Sequence, residues 1–289
     1  MKKDSELVLA PDGTLYHIHL NYDTLADNVL LVGDPTRVDM FRTIFDGIEH
    51  ESSNREIHAL TGTYHGSRFT ALSTGMGCDN IDIVMTELDA AANLDLQTGE
   101  RRSTHRTLRL VRMGTCGGLQ PDLPAGSVVA SRYAVGLDGL VHYYQHTPSL
   151  LEPDLANSFI DHMMLPDGVA QPYAASCSLD LLQRVGTNRY QGITATAPGF
   201  YGPQGRDVCL APRVPDLTAR LASFCWHDLR VANLEMETSA IYALSTLMNH
   251  HALTVCLVIA NRIAGSFLND YHATMLDMIA QTMDALTER

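Results

Sequence analysis

Short apolar runs recur along the chain at residues 28–32, 108–111, 193–197 and 254–260, and each stops at a glycine, a proline or a polar residue. Runs of this length with little polar alternation read as buried strands. Between them lie helical patterns. Ile81, Val84, Met85 and Leu88 share one face of a predicted helix over 80–93. Further helices are expected over 35–45, 178–185, 215–224, 235–250 and 271–286. Strand and helix therefore alternate from end to end. That pattern predicts an α/β fold with a central mixed, mostly parallel twisted sheet flanked by helices on both sides. No repeat, low-complexity stretch or linker divides residues 1–289, so one domain is expected.

Composition narrows the function. A net charge of −13 argues against nucleic acid as the main partner, because a phosphate backbone calls for a basic face. A few arginines in a cleft can still gather a small anion. Six cysteines without a C-x-x-C pair suggest a reducing compartment. The apolar run 7–10 is too short for a signal peptide, and no later run spans a bilayer. The expected location is the cytoplasm, with no membrane contact.

The chemistry gathers where strands end. Arg112-Met113-Gly114-Thr115-Cys116-Gly117-Gly118 follows the second run and reads as a tight turn with free N–H groups beside an arginine and a hydroxyl. Gly33-Asp34-Pro35-Thr36-Arg37 follows the first run, with Pro35 placed to open a helix. It lacks the lysine of a nucleotide P-loop and the spaced glycines of a dinucleotide fingerprint. Residues 198–207 hold three glycines and two prolines, which exclude regular structure, yet carry Phe200, Gln204 and Arg206. An aromatic face, an amide and a guanidinium together suit a planar base. Glu235-Met236-Glu237 is expected to open the 235–250 helix, where acids suit the macrodipole. Residues 133–151 are expected to be irregular, and 263–271 to form a mobile lid. In α/β sheets ligands bind at the carboxyl ends of strands, so these weak signals converge on one edge.

Five motifs, in this order, resemble the nucleoside phosphorylase family: Gly33-Asp34-Pro35-x-Arg37, Ser73-Thr74-Gly75-Met76-Gly77, Arg112-x-Gly114-Thr115-x-Gly117, Glu235-Met236-Glu237 and Ile259-x-Asn261-Arg262. The family includes uridine-cleaving enzymes and hexameric bacterial purine enzymes. The resemblance implies reversible phosphorolysis of a nucleoside, with inorganic phosphate as co-substrate and no cofactor required. It places phosphate at Gly33, Arg37, Arg112 and Thr115, with Arg55 supplied by a neighbouring subunit. It places ribose at Cys116, Glu235, Met236 and Glu237, with His17 crossing the interface to the 5′-hydroxyl. It places the base at Gly117, Phe200, Gln204, Arg206, Ile259 and Ala260. Arg37, Arg112, Arg206 and Glu237 would be the catalytic set. Phe200, Gln204 and Arg206 fit the uracil reader, and Asn261 stands where purine enzymes carry an acid. Uridine is thus the expected substrate.

The rivals are a purine phosphorylase, a hydrolytic nucleosidase of the same fold and a non-catalytic nucleoside binder. A nucleophilic Cys116 would need a partner histidine that the sequence does not offer. The resemblance further implies a homo-oligomer, a dimer or a hexamer built as a trimer of dimers, with shared sites. Some relatives hold a potassium ion near the positions of Glu56, Met76 and Asn80, where Asn80 replaces a serine.

Overall fold

The computed structural model describes residues 5–287. The first strand, β1 (Asn28–Val32), is wholly buried and lies parallel to β4 (Ser67–Ser73) on one side and β5 (Arg109–Gly118) on the other. Two strands, β2 (Gly47–Asn54) and β3 (Ile57–Tyr64), extend that edge as antiparallel hairpins. The sequence reading had no β2, whose exposed, polar residues give no apolar signal. Beyond β5 come β6 (Val128–Gly136), β7 (Tyr173–Ser176), β8 (Tyr190–Thr196), β9 (Cys225–Trp226), β10 (Leu229–Glu235), β11 (His251–Asn261) and β12 (Ser266–Phe267).

The sheet does not stay open. β5 pairs with β11, β11 with β6, β6 with β8, β8 with β10, and β10 returns to β5. Five strands thus form a closed circuit, which removes the edges an open sheet would expose. The sheet is mixed, as expected. Among the described residues antiparallel pairings outnumber parallel ones, seven to five, because hairpins add at the edges and β10 meets β5 head to tail.

Helices cover both faces. α1 (Cys78–Asn93), α3 (Leu179–Val185), α5 (Thr238–Leu247) and α6 (His272–Thr287) bury their apolar stripes in the larger core with Leu30, Val111 and Leu253. α2 (Pro153–Met163) and α4 (Leu217–Ser223) close a second core around Leu119, Val135, Phe159 and Phe224. A domain of this size needs both to bury enough surface.

Four expectations change. The helix expected over 35–45 is a 3-10 helix, Pro35–Thr43. Val38, Phe41 and Ile44 recur every third residue, which matches three residues per turn. Residues 133–136 are not irregular but continue β6, held by β7 some forty residues on. A sequence reading sees no such distant pairing. The remainder, 137–151, carries only the 3-10 turns Leu140–Tyr143 and Pro148–Leu150. The expected lid folds back as β12, with Ala260 opposite Phe267 and Asn261 opposite Ser266. The turn expected at Gly114–Gly118 is extended strand, with none of its glycines at positive φ.

Candidate active site

Those glycines clear space instead of bending the chain. A Cβ on Gly114 would stand 1.9 Å from Arg112 Nη1 and 3.0 Å from Cys256 Sγ. On Gly117 it would meet Arg262 Cγ at 3.3 Å, and on Gly118 Val258 Cγ1 at 2.9 Å. β5 must therefore be bare here, so that the side chains of β11 and Arg112 can fold across it.

Arg112 is buried and lies between two buried acids. Its Nη1 is 3.3 Å from Glu235 and donates to Cys256 Sγ at 3.3 Å, while its Nη2 donates to Glu237 Oε2. Burial works against the guanidinium charge, but Glu237 and Glu235 outweigh it and keep Arg112 protonated. Burial also pushes the Glu237 carboxyl above its ordinary value, opposed by Arg112 and reinforced by the Glu235 charge. Glu237 Oε1 accepts the Gly77 N–H at 2.7 Å, which ties the start of α1 to the start of α5.

The two acids are not in a helical first turn. Glu235 ends β10 and Glu237 is the N-cap residue of α5. Glu235 does the capping, accepting from the N–H groups of Glu237 at 3.0 Å and Thr238 at 3.1 Å, and from Thr196 Oγ1 at 2.7 Å. Its oxygens are committed to protein donors, which leaves Glu237 as the carboxylate with spare capacity.

Arg37 comes from the 3-10 helix after β1, which starts with Asp34 accepting the Thr36 N–H at 2.9 Å. Its guanidinium lies beside Gly33, as does the Gly75 carbonyl. Burial, then the like charge of Arg112, depress the Arg37 pKa. Two cations converge here, and each keeps a buried Nε–H without a protein acceptor. An anion between them would relieve both the repulsion and the unpaired donors. Thr115, half-buried, is on the same stretch of β5.

A second pair of cations forms on the loop after β8. The short 3-10 turn Gly202–Gln204 buries Gln204. Arg206 stacks 4.0 Å over the Phe200 ring, donates to Phe200 O at 2.9 Å, and reaches Gln204 Oε1 at 3.4 Å. Arg262 enters from β11 and donates to Gln204 O at 3.2 Å while crossing Gly117. Arg262 is absent from the expected site residues, and its place in the Asn261-Arg262 motif is the one sequence signal for it. Burial, and then Arg206, depress the Arg262 pKa. Ile259 and Ala260 are half-buried at the β11 bulge opposite Gly117.

Asn261 is a loop staple. Its Nδ2 donates to Gln120 O at 2.8 Å and Leu123 O at 2.7 Å, and its Oδ1 accepts from the N–H groups of Ile263 and Ala264 at 2.9 and 2.7 Å. Cys116 is buried, and burial holds its thiol well above the ordinary range, so it is a weak nucleophile. Met236 is half-buried, and its carbonyl accepts from Cys78 Sγ at 3.2 Å.

The remaining expected residues make no hydrogen bond or ion pair with Arg37, Arg112 or Glu237 among the described residues. Arg55 is exposed at the tip of the β2–β3 hairpin, at φ 54°. His17 Nδ1 is 2.5 Å from Glu87 Oε1, and Glu87 also accepts the N–H groups of His17 and Ile18, both at 3.0 Å. Glu87 is ten residues along α1 from Gly77, about 15 Å at the helical rise. Asn80 Nδ2 donates to Met76 O at 3.3 Å beside the exposed Glu56, so a cation there would have to displace that amide.

Three kinds of likeness place the chain in a family. The Phosphorylase superfamily model matches residues 27–289. A uridine phosphorylase of Thermococcus kodakarensis is 28% identical over 264 residues, covering 89% of this chain and 80% of its own. A DeoD-type purine nucleoside phosphorylase of Roseobacter denitrificans is 28% identical over 274 residues, covering 93% and 97%. A crystal structure of a Trypanosoma brucei nucleoside phosphorylase with uridine phosphorylase activity superposes with a TM-score of 0.84 at 28% identity, over 96% of this chain and 99% of that one. With the five motifs on adjacent strand ends and the match running almost end to end, the chain belongs to the phosphorylase superfamily.

Proposed function

We propose that this chain is a uridine phosphorylase, converting uridine and phosphate reversibly to uracil and ribose 1-phosphate. The observation that carries the choice of base is the Phe200–Gln204–Arg206 cluster set beside an Asn261 whose amide is fully engaged with backbone. Such an amide has no proton to give a purine ring. Gln204 and Arg206 offer donors to uracil oxygens.

Cleaving the N-glycosidic bond builds positive charge on the sugar and negative charge on the leaving base, as in other oxocarbenium-like reactions. Arg37 and Arg112 hold the phosphate dianion under the sugar, where it stabilises the cation and then bonds to C1′. Glu237 accepts from the 2′- and 3′-hydroxyls and fixes the ring. The electron pair of the broken bond passes to uracil, and Arg206 stabilises it there.

Among the described residues neither His17, held by Glu87, nor the exposed Arg55 has a hydrogen bond or ion pair to the site residues of its own protomer, which supports a homo-oligomer in which each completes a neighbour's pocket. Among the described residues no helix is long and apolar enough to cross a membrane; a cytoplasmic enzyme is part of the proposal. Uridine and inosine are each incubated with and without phosphate. Uridine loss that requires phosphate is expected. Cleavage of inosine but not uridine sinks the base assignment, and equal cleavage without phosphate favours a hydrolase.

A further inference from the structure

A cavity of about 300 Å³ opens against the loop that carries Gln204 and Arg206. Leu137, Leu165, Val214 and Leu217 form its walls, and Gly202 and Pro203 face it from the loop. It shares none of its lining with Arg112, Glu237 or Phe200. The volume is at the low end of small-molecule sites. The walls carry almost no polar atoms, so a sugar or nucleoside would bury hydroxyls there without partners. One fixed charge stands at the edge. Arg213 is exposed beside Gly168, with no hydrogen bond or ion pair to any described residue.

We propose that this cavity binds a small monocarboxylate with an apolar body, a single ring or branched chain, its acid held by Arg213. The 3-10 turn Gly202–Gln204 gives the site a connection to the base. Gly202 and Pro203 line the cavity, and the next residue, Gln204, turns inward toward Arg206 and Arg262. An occupant packed on Pro203 favours the loop conformation in which these three groups are already gathered. It therefore raises affinity for the base. This last step rests on the uridine reading; the binding site does not.

The test uses 4-phenylbutyrate as probe, followed by calorimetry on the full chain with uracil and phosphate both saturating. Binding is expected to persist under those conditions. 4-Phenylbutanol, without the acid, is expected to bind at least about tenfold more weakly, the scale of a charge-assisted hydrogen bond. Arg213→Gln is expected to bring the acid down to the alcohol's affinity while phosphorolysis without probe is unchanged. The probe is expected to lower KM for uridine about fivefold, the low end of typical couplings. No binding at millimolar probe overturns the site. So does binding that uracil and phosphate abolish, or binding that Arg213→Gln leaves intact. Binding with an unchanged KM on an active enzyme overturns the coupling through Pro203. If uridine is not cleaved at all, the binding measurements still decide the site, and only the uridine reading is lost.

Discussion

The two ends of the site are built differently. At the proposed phosphate and ribose end, Arg112, Glu235 and Glu237 are all buried and belong to β5, β10 and the start of α5. At the base end, Phe200 is half in solvent, Arg206 is half-buried, and one short 3-10 turn holds them. Groups on strands are fixed by ladder hydrogen bonds and core packing; groups on a loop answer mainly to each other. On the proposed assignment, most of what acts on the part common to every nucleoside is on the sheet or at a helix start, and what would choose a base is on a loop.

The largest effect is expected at the buried end. Arg112→Met leaves Glu235 and Glu237 facing each other without a cation. Breaking a buried pair in this way costs about 3–5 kcal/mol of stability. It also removes a phosphate donor, for a loss of about 10³-fold in kcat/KM. Chemical denaturation and phosphorolysis measure the two together. If activity falls and stability does not, Arg112 is not what holds the two acids in place.

Arg206→Ala should divide the two quantities. Loss of one donor to the leaving base costs about 2.7–4 kcal/mol of barrier, 10²–10³-fold in kcat. Stability should move by about 1 kcal/mol or less, because Arg206 is half-buried and its hydrogen bonds stay within the loop. A large drop in unfolding midpoint would show that the loop is structural, and the contrast between the ends would fail.

Asn261→Asp examines whether the base is chosen by one residue. A carboxylate at 261 would face the Gln120 and Leu123 carbonyls, which now receive N–H donors. The exchange should cost about 1–3 kcal/mol and give no inosine cleavage. Inosine turnover in this variant would mean that the staple is dispensable and that residue 261, not the loop, chooses the base.

The sequence made the chemistry more legible than the shape. Arg37, Arg112, Gln204 and Arg206 could be picked out because each follows an apolar run, and strand ends are where such sheets place ligands; Glu237 stood out through its Glu-x-Glu motif. The closure of β5, β11, β6, β8 and β10 into a circuit could not be read, since pairing between distant strands leaves no local pattern. The glycines of β5 misled for the same reason. A bend and a cleared space both call for glycine, and only the positions of Arg112, Cys256 and Arg262 tell them apart. Glu235 and Glu237 are alike in sequence, yet the first has its oxygens taken by N–H groups of α5 and the Thr196 hydroxyl, while the second holds the Gly77 N–H and Arg112 and keeps lone pairs for a ligand.

That asymmetry gives the smallest expected effect, a pH dependence confined to one end. Burial raises the Glu237 pKa, so this carboxyl protonates at a pH above that of an ordinary glutamate, about 4.3. Only the ionised form accepts from both ribose hydroxyls. In phosphate-free buffer, uridine affinity should therefore fall about tenfold per pH unit below the raised value, while uracil, which has no ribose, keeps its affinity. Stability runs the other way. A raised folded-state pKa favours the fold fully below the ordinary glutamate value, and that contribution is lost as pH rises through the raised one. Arg206→Ala should weaken uridine and uracil alike and leave the midpoint of the uridine curve in place. If uracil binding shows the same acid limb as uridine, the titrating group belongs to the base end, and the division between sheet and loop is wrong.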